Sequence, residues 1–366
     1  MALNIGIVGL PNVGKSTLFN ALTRTQNAKA ENFPFCTIEP NTAVVPVPDA
    51  RLQVLADMVH PQAVIHATVE FVDIAGLVKG ASKGEGLGNK FLGNVRDSNA
   101  ILEVVRCFEN GDIVHVEGSI DPVRDVQIIE NELLLSDLEV LEARIGRQSK
   151  IARSDPKARP ELDLLEALKA HLDAGNPVRT FDRHDEDALQ PALQEGRYLT
   201  DKKVVYVANV DESSVAEDND FVKALRAHAA SVGSECVRIC AAVEQDMSGL
   251  SDEERAEFLS SYGIEESGLD VIVKTCYRTL GLASYLTAGP KEVRAWTFRR
   301  GWKAPKCAGV IHSDFERGFI RAQVIKYDDF VANGGEQKCR ELGIVHEEGK
   351  EYEMQDGDMV EFLFNV

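Results

Sequence analysis

Cysteine is sparse and follows no pairing pattern: seven residues in 366, an odd number, without a C-x-x-C pair. A disulfide framework is therefore not expected. Cys36, Cys107 and Cys276 read as reduced packing residues of a cytosolic protein. The eight histidines are scattered without metal-ligand spacing, which argues against a transition-metal site. No apolar run is long enough to span a bilayer, and the N-terminus opens a core strand rather than a signal sequence. The expected compartment is the cytoplasm, with no membrane partner. Positive charge is also short, 40 Lys/Arg against 59 Asp/Glu, a net −19 that disfavours nucleic acid over the surface as a whole. The deficit is uneven, however. Residues 282–366 hold 12 Lys/Arg and 14 Asp/Glu, a net −2, which leaves −17 for the remainder. Local basic patches, not the total, decide RNA contact. The length exceeds one compact core, so two or three domains are expected.

What the chain does contain begins at Gly9-Leu-Pro-Asn-Val-Gly-Lys-Ser-Thr17, which satisfies G-x-x-x-x-G-K-[ST] through Gly9, Gly14, Lys15 and Ser16. Glycines let successive backbone N–H groups curl into an anion-binding nest, and a following helix aims its positive end at the same point. A bound triphosphate would lie against Asn12, Val13, Gly14, Lys15, Ser16 and Thr17. Lys15 would reach the β- and γ-phosphates and the Ser16 hydroxyl would ligate Mg²⁺. The context agrees, because residues 3–8 read as a buried strand and 16–22 as a helix.

The Pro-bounded loop 32–40 places Thr37 where the first switch of such a site contributes a hydroxyl and carbonyl to Mg²⁺ and the γ-phosphate. The strand at 68–72 ends in Asp73-Ile-Ala-Gly76. Asp73 would hold Mg²⁺ through water, and the Gly76 N–H would sense the γ-phosphate. Ras-type GTPases follow that glycine with a water-orienting glutamine, whereas this chain has Leu77, which carries no polar group. Residues 78–88, rich in glycine, are expected to form a mobile second switch or a flexible surface loop. Beyond a strand at 100–106, the loop 109–115 ends in His115, one histidine near the sheet's carboxyl edge, where an isolated loop histidine is usually a solvated surface residue.

Further strands are expected at 42–47 and 203–208, the last strand with its base-side loop at 237–242, and helices at 49–58, 252–261 and 266–280. Between Asp125 and Leu172 leucines and isoleucines recur at spacings of three and four, interrupted by a proline-bearing turn near 148–160, which predicts a helical hairpin. Its far end carries Arg144, Arg147, Lys150, Arg153, Lys157 and Arg159 against Asp155, a solvated tip or an RNA contact. The strand at 203–208 runs into Asn209-Val-Asp-Glu212, where guanine-specific switches carry Asn-Lys-x-Asp. Val210 replaces the lysine over the base, and Glu212 replaces the aspartate that binds guanine N1–H and N2. Asn209 can pair with adenine N6 and N7, so guanine selectivity is lost and adenine becomes plausible, although the longer glutamate could still reach guanine. Strands return at 293–298 and 359–364. The stretch 291–306, with six basic residues, one acidic and both tryptophans, suits RNA stacking, as it also suits a half-buried strand edged by arginines.

These motifs, together with Asn32-Phe-Pro-Phe-Cys-Thr-Ile-Glu-Pro-Asn41 and the terminal Asp356-Gly-Asp-Met-Val-Glu-Phe-Leu-Phe-Asn-Val366, closely resemble the Obg-like ATPase (YchF) subfamily of Obg-related P-loop proteins over essentially the whole chain. The resemblance implies an α/β fold: a Ras-like P-loop NTPase domain at 1–124 and 200–280, an inserted helical coiled-coil domain at 125–199, and a C-terminal TGS domain (β-grasp) at 281–366. It implies ATP preferred over GTP, with Asn209 and Glu212 at the base, and a hydrophobic residue at Leu77. It also implies potassium-stimulated hydrolysis linked to Asn12, and a histidine on a mobile loop, matched by His115, substituting for the missing glutamine. Ribosomes and translation are the implied setting. The function expected is an ATP-hydrolysing molecular switch acting on ribosomes. A nucleotide-gated ribosome or RNA adaptor with incidental hydrolysis, or a GTPase, stands as the alternative.

Overall fold

The computed structural model describes residues 3–28, 41–74, 87–182, 193, 195–247 and 249–365. Its chain divides into two compact units. One comprises Met1–Leu22, Glu39–Ala43 and Phe71–Ile272, and the other Thr23–Ile38, Val44–Glu70 and Val273–Val366.

One sheet contains β1 (Asn4–Val8), β2 (Thr42–Pro46), β4 (Thr68–Asp73), β5 (Ala100–Arg106), β6 (Lys203–Asn209) and β7 (Glu235–Ile239), in the order β2-β4-β1-β5-β6-β7, and its strands β1, β5, β6 and β7 lie wholly in the first unit. The pairs β1–β5, β5–β6 and β6–β7 are parallel. Strand β5 is buried at every position, as a central parallel strand covered on both faces must be. Helix α1 (Lys15–Ala28) follows the glycine loop directly. Within the strand and base-side loop expected at 237–242, the strand ends at Ile239. The Ala241 N–H is taken by the Asn209 side chain at 3.0 Å, and α7 (Ala241–Met247) begins there. Helices α3 (Leu87–Asp97), α6 (Asp220–Ser231), α8 (Asp252–Ser261) and α9 (Gly268–Thr279) complete the connections.

The helical pattern read between 125 and 172 resolves into α4 (Pro122–Ser154) and α5 (Arg159–Asp173), separated by the turn at Asp155 and Pro156. Leu134, Leu141, Leu165, Leu168 and Leu172 form their shared apolar seam. At the root of the hairpin the buried Asp137 accepts the N–H groups of Leu199 and Thr200, each at 2.8 Å, and the Thr200 hydroxyl at 2.7 Å. Those bonds tie α4 to the chain entering β6. No described helix is long and apolar enough to cross a membrane.

The second unit carries β3 (Ala63–Ile65), β8 (Leu282–Ala288), β9 (Glu292–Arg299), β10 (Phe319–Lys326), β11 (His346–Glu348) and β12 (Asp358–Phe364), in the order β11-β10-β12-β8-β9-β3. The hairpin β8–β9 is antiparallel, while β12 lies parallel to β8 in the middle of the sheet. One face packs Tyr285, Phe298, Phe319 and Phe362 against α10 (Ala304–Ile311), the strand-and-helix arrangement of a β-grasp domain. Around it lie α2 (Ala50–Val59), α11 (Ser313–Arg317), α12 (Tyr327–Ala332) and α13 (Glu336–Leu342). The pairing of β3 with β9 makes residues near 63–65 part of this unit, ahead in sequence of the segment from 281 onward.

Candidate nucleotide site

Parallel register brings the site together. Val8 aligns with Glu103, and Arg106 with Asn209, so the ends of β1, β5 and β6 open onto the same carboxyl edge of the sheet. That edge is where open parallel sheets receive ligands. The glycines of the loop have specific geometric reasons. A Cβ at Gly9 would stand 2.7 Å from the Val104 carbonyl oxygen; at Gly14, where φ is +96°, it would stand 2.2 Å from Asn209 Nδ2. Asn12 also takes a positive φ of 63°, which asparagine tolerates, so the loop curls as a nest does. The Leu18 N–H reaches the Gly14 carbonyl at 3.0 Å and starts α1.

Lys15 and Asp73 meet: Nζ donates to Oδ1 at 2.7 Å. Ser16 is exposed on the first turn of α1, and Thr17 is half-buried beside it. Thr37, Gly76 and Leu77, expected in the two switches, lie outside the described residues.

At the base side, Asn209 is buried and both ends of its amide are engaged. Nδ2 donates to the Val13 carbonyl at 2.8 Å, and Oδ1 accepts the Ala241 N–H. Bidentate pairing with adenine would draw on the remaining N–H and lone pair of the same amide. The structure revises the reading of Val210, which is 2% exposed and donates its N–H to the Ile239 carbonyl, so its side chain offers no open face to a base. Glu212 is exposed at the start of a short 3₁₀ turn. Close to it lie Cys240, whose thiol is pushed up mainly by burial, and Tyr262. The sequence reading did not single out that tyrosine.

His115 is not the solvated surface residue that a loop histidine usually is. Its Nε2–H donates to Asp125 Oδ2 at 2.8 Å, with side-chain exposures of 5% and 3%, and its Nδ1 accepts the Glu117 N–H at 3.1 Å. Sequence reasoning also missed Arg106. This residue is buried at the end of β5 and donates to the carbonyls of Phe108, Asn110 and Ile113 at 3.0–3.1 Å, which cages the loop that carries His115. Asn12 Nδ2 reaches the Val114 carbonyl at 3.2 Å, so that loop also touches the glycine nest.

Behind the site Glu103 is fully buried on β5, and burial, with the charge on Glu130 adding to it, pushes its carboxyl well up. Burial alone would raise Glu130 as well. Nearby His228, 3.7 Å away, and the hydrogen bonds from Arg179 and Tyr206 outweigh that and hold it down at about 2.

The expected basic tip is corrected at one position. Arg144 is buried in the hairpin, paired with Glu161 and Glu195 at 2.8 Å each. Arg147, Lys150, Arg153 and Lys157 are exposed, while Arg159 pairs with Asp163. In the second unit Trp296 and Trp302 are half-buried against the aromatic core, each covered by a cation: Arg294 at 3.8 Å and Lys306 at 4.3 Å from the ring centre.

Comparison with known proteins gives a consistent assignment. Residues 4–137 match a family model described as a 50S ribosome-binding GTPase. Residues 282–365 match a C-terminal YchF GTPase model described as a protein of unknown function. The chain is 50% identical over 369 residues to the "Ribosome-binding ATPase YchF" of Bacillus subtilis (strain 168), and 52% identical over 367 residues to the same-named protein of Escherichia coli O157:H7. Both alignments cover 100% of each chain. Among solved structures, that of the Schizosaccharomyces pombe YchF GTPase superposes with a TM-score of 0.89 at 36% identity, covering 99% of this chain and 97% of that one.

Proposed function

The chain belongs to the YchF family, and from that premise we propose that it is an ATP-hydrolysing switch that works on the ribosome in the cytoplasm. The observation that carries the adenine preference is the base edge. The phosphate nest is joined to Asn209, and Glu212 stands exposed three residues on, without the lysine and aspartate that select guanine. A carboxylate that accepts guanine N1–H would instead face the adenine N1 lone pair, so its displacement onto a longer, exposed side chain relaxes the selection.

The chain's own residues divide the work. Backbone N–H groups from Asn12 to Thr17 cradle the phosphates, and Lys15 moves its charge from Asp73 to the β- and γ-oxygens. The Ser16 hydroxyl and the Asp73 carboxylate are hard oxygen donors of the kind Mg²⁺ takes, and Lys15 and Asp73 already touch. When bound, that ion supplies neutralisation of the charge between the β- and γ-phosphates. Thr37 and Gly76 complete the two switches on this reading. Asn12 Oδ1, which has no hydrogen-bond partner among the described residues, is the donor for K⁺. His115 takes the water-positioning role that Leu77 lacks.

The domain division that goes with this function is a G domain at 1–124 and 200–280, a hairpin at 125–199 and a TGS domain at 281–366. Ribosomal RNA would meet the exposed cations of the hairpin tip and the basic, tryptophan-bearing strand β9. Competition of ATP against GTP by calorimetry at one salt concentration tests the central reading. Tight GTP binding with no ATP binding would end it. Lys15→Ala should abolish nucleotide binding, and retained ATP affinity would count equally against the site.

One observation favours the adaptor reading. Both ring nitrogens of His115 are occupied, which suits slow hydrolysis. If a non-hydrolysable ATP analogue supports ribosome binding and release through the full cycle, hydrolysis is incidental and the protein is a nucleotide-gated adaptor.

A further inference from the structure

The loop between β5 and α4 is fastened to two places at once. At Val114 it takes a hydrogen bond from Asn12 of the glycine nest, 3.2 Å long. One residue later His115 turns inward and gives its Nε2–H to Asp125, in the first turn of α4. Asp125 is itself held. Its Oδ1 accepts Arg124 Nε and Nη2 at 3.2 and 2.9 Å, and the same guanidinium grips the Ser119 hydroxyl and carbonyl at 2.9 and 2.6 Å. The loop is thereby bolted to the base of the hairpin through two adjacent residues, and Arg106 cages its other half.

The hydrogen bonds fix the chemistry of the imidazole. A ring whose Nδ1 accepts a backbone N–H and whose Nε2–H is given to a carboxylate is the neutral Nε2–H tautomer with both nitrogens used. In that arrangement no lone pair or N–H remains to orient a water, and the side chain is shut away from solvent. A histidine that acts on the γ-phosphate must leave this arrangement first.

We infer that Asp125 is a positioning residue that parks His115, and that turnover requires the Nε2–Asp125 hydrogen bond to break. The inference rests on the reading of His115 as the water-positioning group. Asn12 and His115 lie on either side of Val114 in the chain of contacts, so a change at the phosphate nest reaches the parked imidazole through one carbonyl. Asp125 belongs to α4, so a partner that displaces the hairpin acts on the same bond from the other end. A ligand of either kind favours release only insofar as it binds the released loop more tightly.

The test uses the full chain and compares steady-state ATP hydrolysis of the wild type, His115→Ala, Asp125→Ala, Asp125→Asn and the His115→Ala/Asp125→Ala double variant. Asp125→Ala should raise kcat roughly three- to tenfold with KM little changed, as expected when a charge-assisted hydrogen bond no longer opposes release. Asp125→Asn keeps one oxygen acceptor but loses the charge and the second acceptor, and should fall between the wild type and Asp125→Ala, and the double variant should match His115→Ala. If His115→Ala lowers kcat but Asp125→Ala lowers it too or leaves it unchanged, parking is wrong and the role of His115 stands. If His115→Ala leaves kcat unchanged, the role of His115 fails and parking fails with it. Should Asp125→Ala not fold, the wild type decides by NMR of ¹⁵N-labelled histidine. The Nε2–H tautomer of His115 should be seen without nucleotide and should be lost on adding Mg²⁺ and a non-hydrolysable ATP analogue. A ring unchanged by that analogue overturns the inference.

Discussion

Asn209 Nδ2 donates to the Val13 carbonyl at 2.8 Å, across 196 residues of chain, and so joins the carboxyl end of β6 to the glycine nest. The same amide receives the Ala241 N–H, which makes one side chain the tie among three loops of the carboxyl edge. Replacing Asn209 with Ala leaves a buried N–H and a buried carbonyl without partners, a cost of about 1–3 kcal/mol. The expected result is a loss of stability of that order and a fall in ATP affinity of roughly 10–100-fold, since each ~1.4 kcal/mol is tenfold. Chemical denaturation and calorimetry on the variant check both. An affinity equal to the wild type would mean the tie does not shape the site.

Gly14 makes a sharper case. Its φ of +96° disfavours any side chain, and a Cβ there would stand 2.2 Å from the Asn209 amide. Gly14→Ala should therefore abolish measurable ATP binding by displacing both the nest and Asn209, while far-UV circular dichroism stays close to the wild type. Retained binding would show that the loop accommodates a methyl group, and the close approach would lose its meaning.

Much of this arrangement is legible in the sequence because it depends on local rules. A glycine nest has to fall between a buried strand and a helix, and the D-x-x-G aspartate has to sit at a strand tip, so spacing alone places Lys15 near Asp73. Partnerships across long separations were not legible. Nothing in the residues around His115 announces that Asp125 will bury it, or that Arg106, at the end of an apolar strand, will turn its guanidinium onto three carbonyls. Val210 misled for a related reason: a motif position says where the backbone lies, while burial is set by neighbours brought in by the sheet. Arg144 was grouped with the tip by composition, but helical phase turns it toward Glu161 and Glu195. Helix α6 does follow local rules, because Asn219 caps it and Val222, Leu225 and Ala229 recur at helical spacing.

Glu103 gives a pH dependence with a definite sign. Its folded-state carboxyl is held above the ordinary 4.5, chiefly by burial, so the folded protein keeps a proton that the unfolded chain releases near that value. The stability this contributes is present below pH 4.5 and is lost as pH rises through the folded value. Glu130 has the opposite sign: held at about 2, it contributes stability above 4.5 that is lost as pH falls toward 2. Glu103→Gln mimics the protonated carboxyl and removes only the first effect. The variant should match the wild type near pH 4 to 5 and exceed it at pH 7 to 8 by roughly 1–3 kcal/mol, the scale of a poorly solvated buried polar group. Denaturation across that range checks it, and two parallel stability curves would sink the assignment.

The hairpin tip offers a test that separates an RNA contact from a merely solvated surface. Arg147, Lys150, Arg153 and Lys157 are exposed and have no acidic partner among the described residues, whereas Arg144 and Arg159 are already neutralised by neighbours. Binding through phosphates releases counterions, each contact steepening the dependence of log affinity on log salt by about 0.7–0.9. Changing all four to Ala should lower ribosome affinity and flatten that slope by roughly 3, with ATP affinity unaffected because the nucleotide site lies elsewhere in the unit. Co-sedimentation with ribosomes over a range of salt concentrations measures it. An unaltered slope would remove the tip from the interface and leave β9 and the segment after it, including the exposed Arg299 and Lys306, as the next basic surface to examine by the same substitution and salt series.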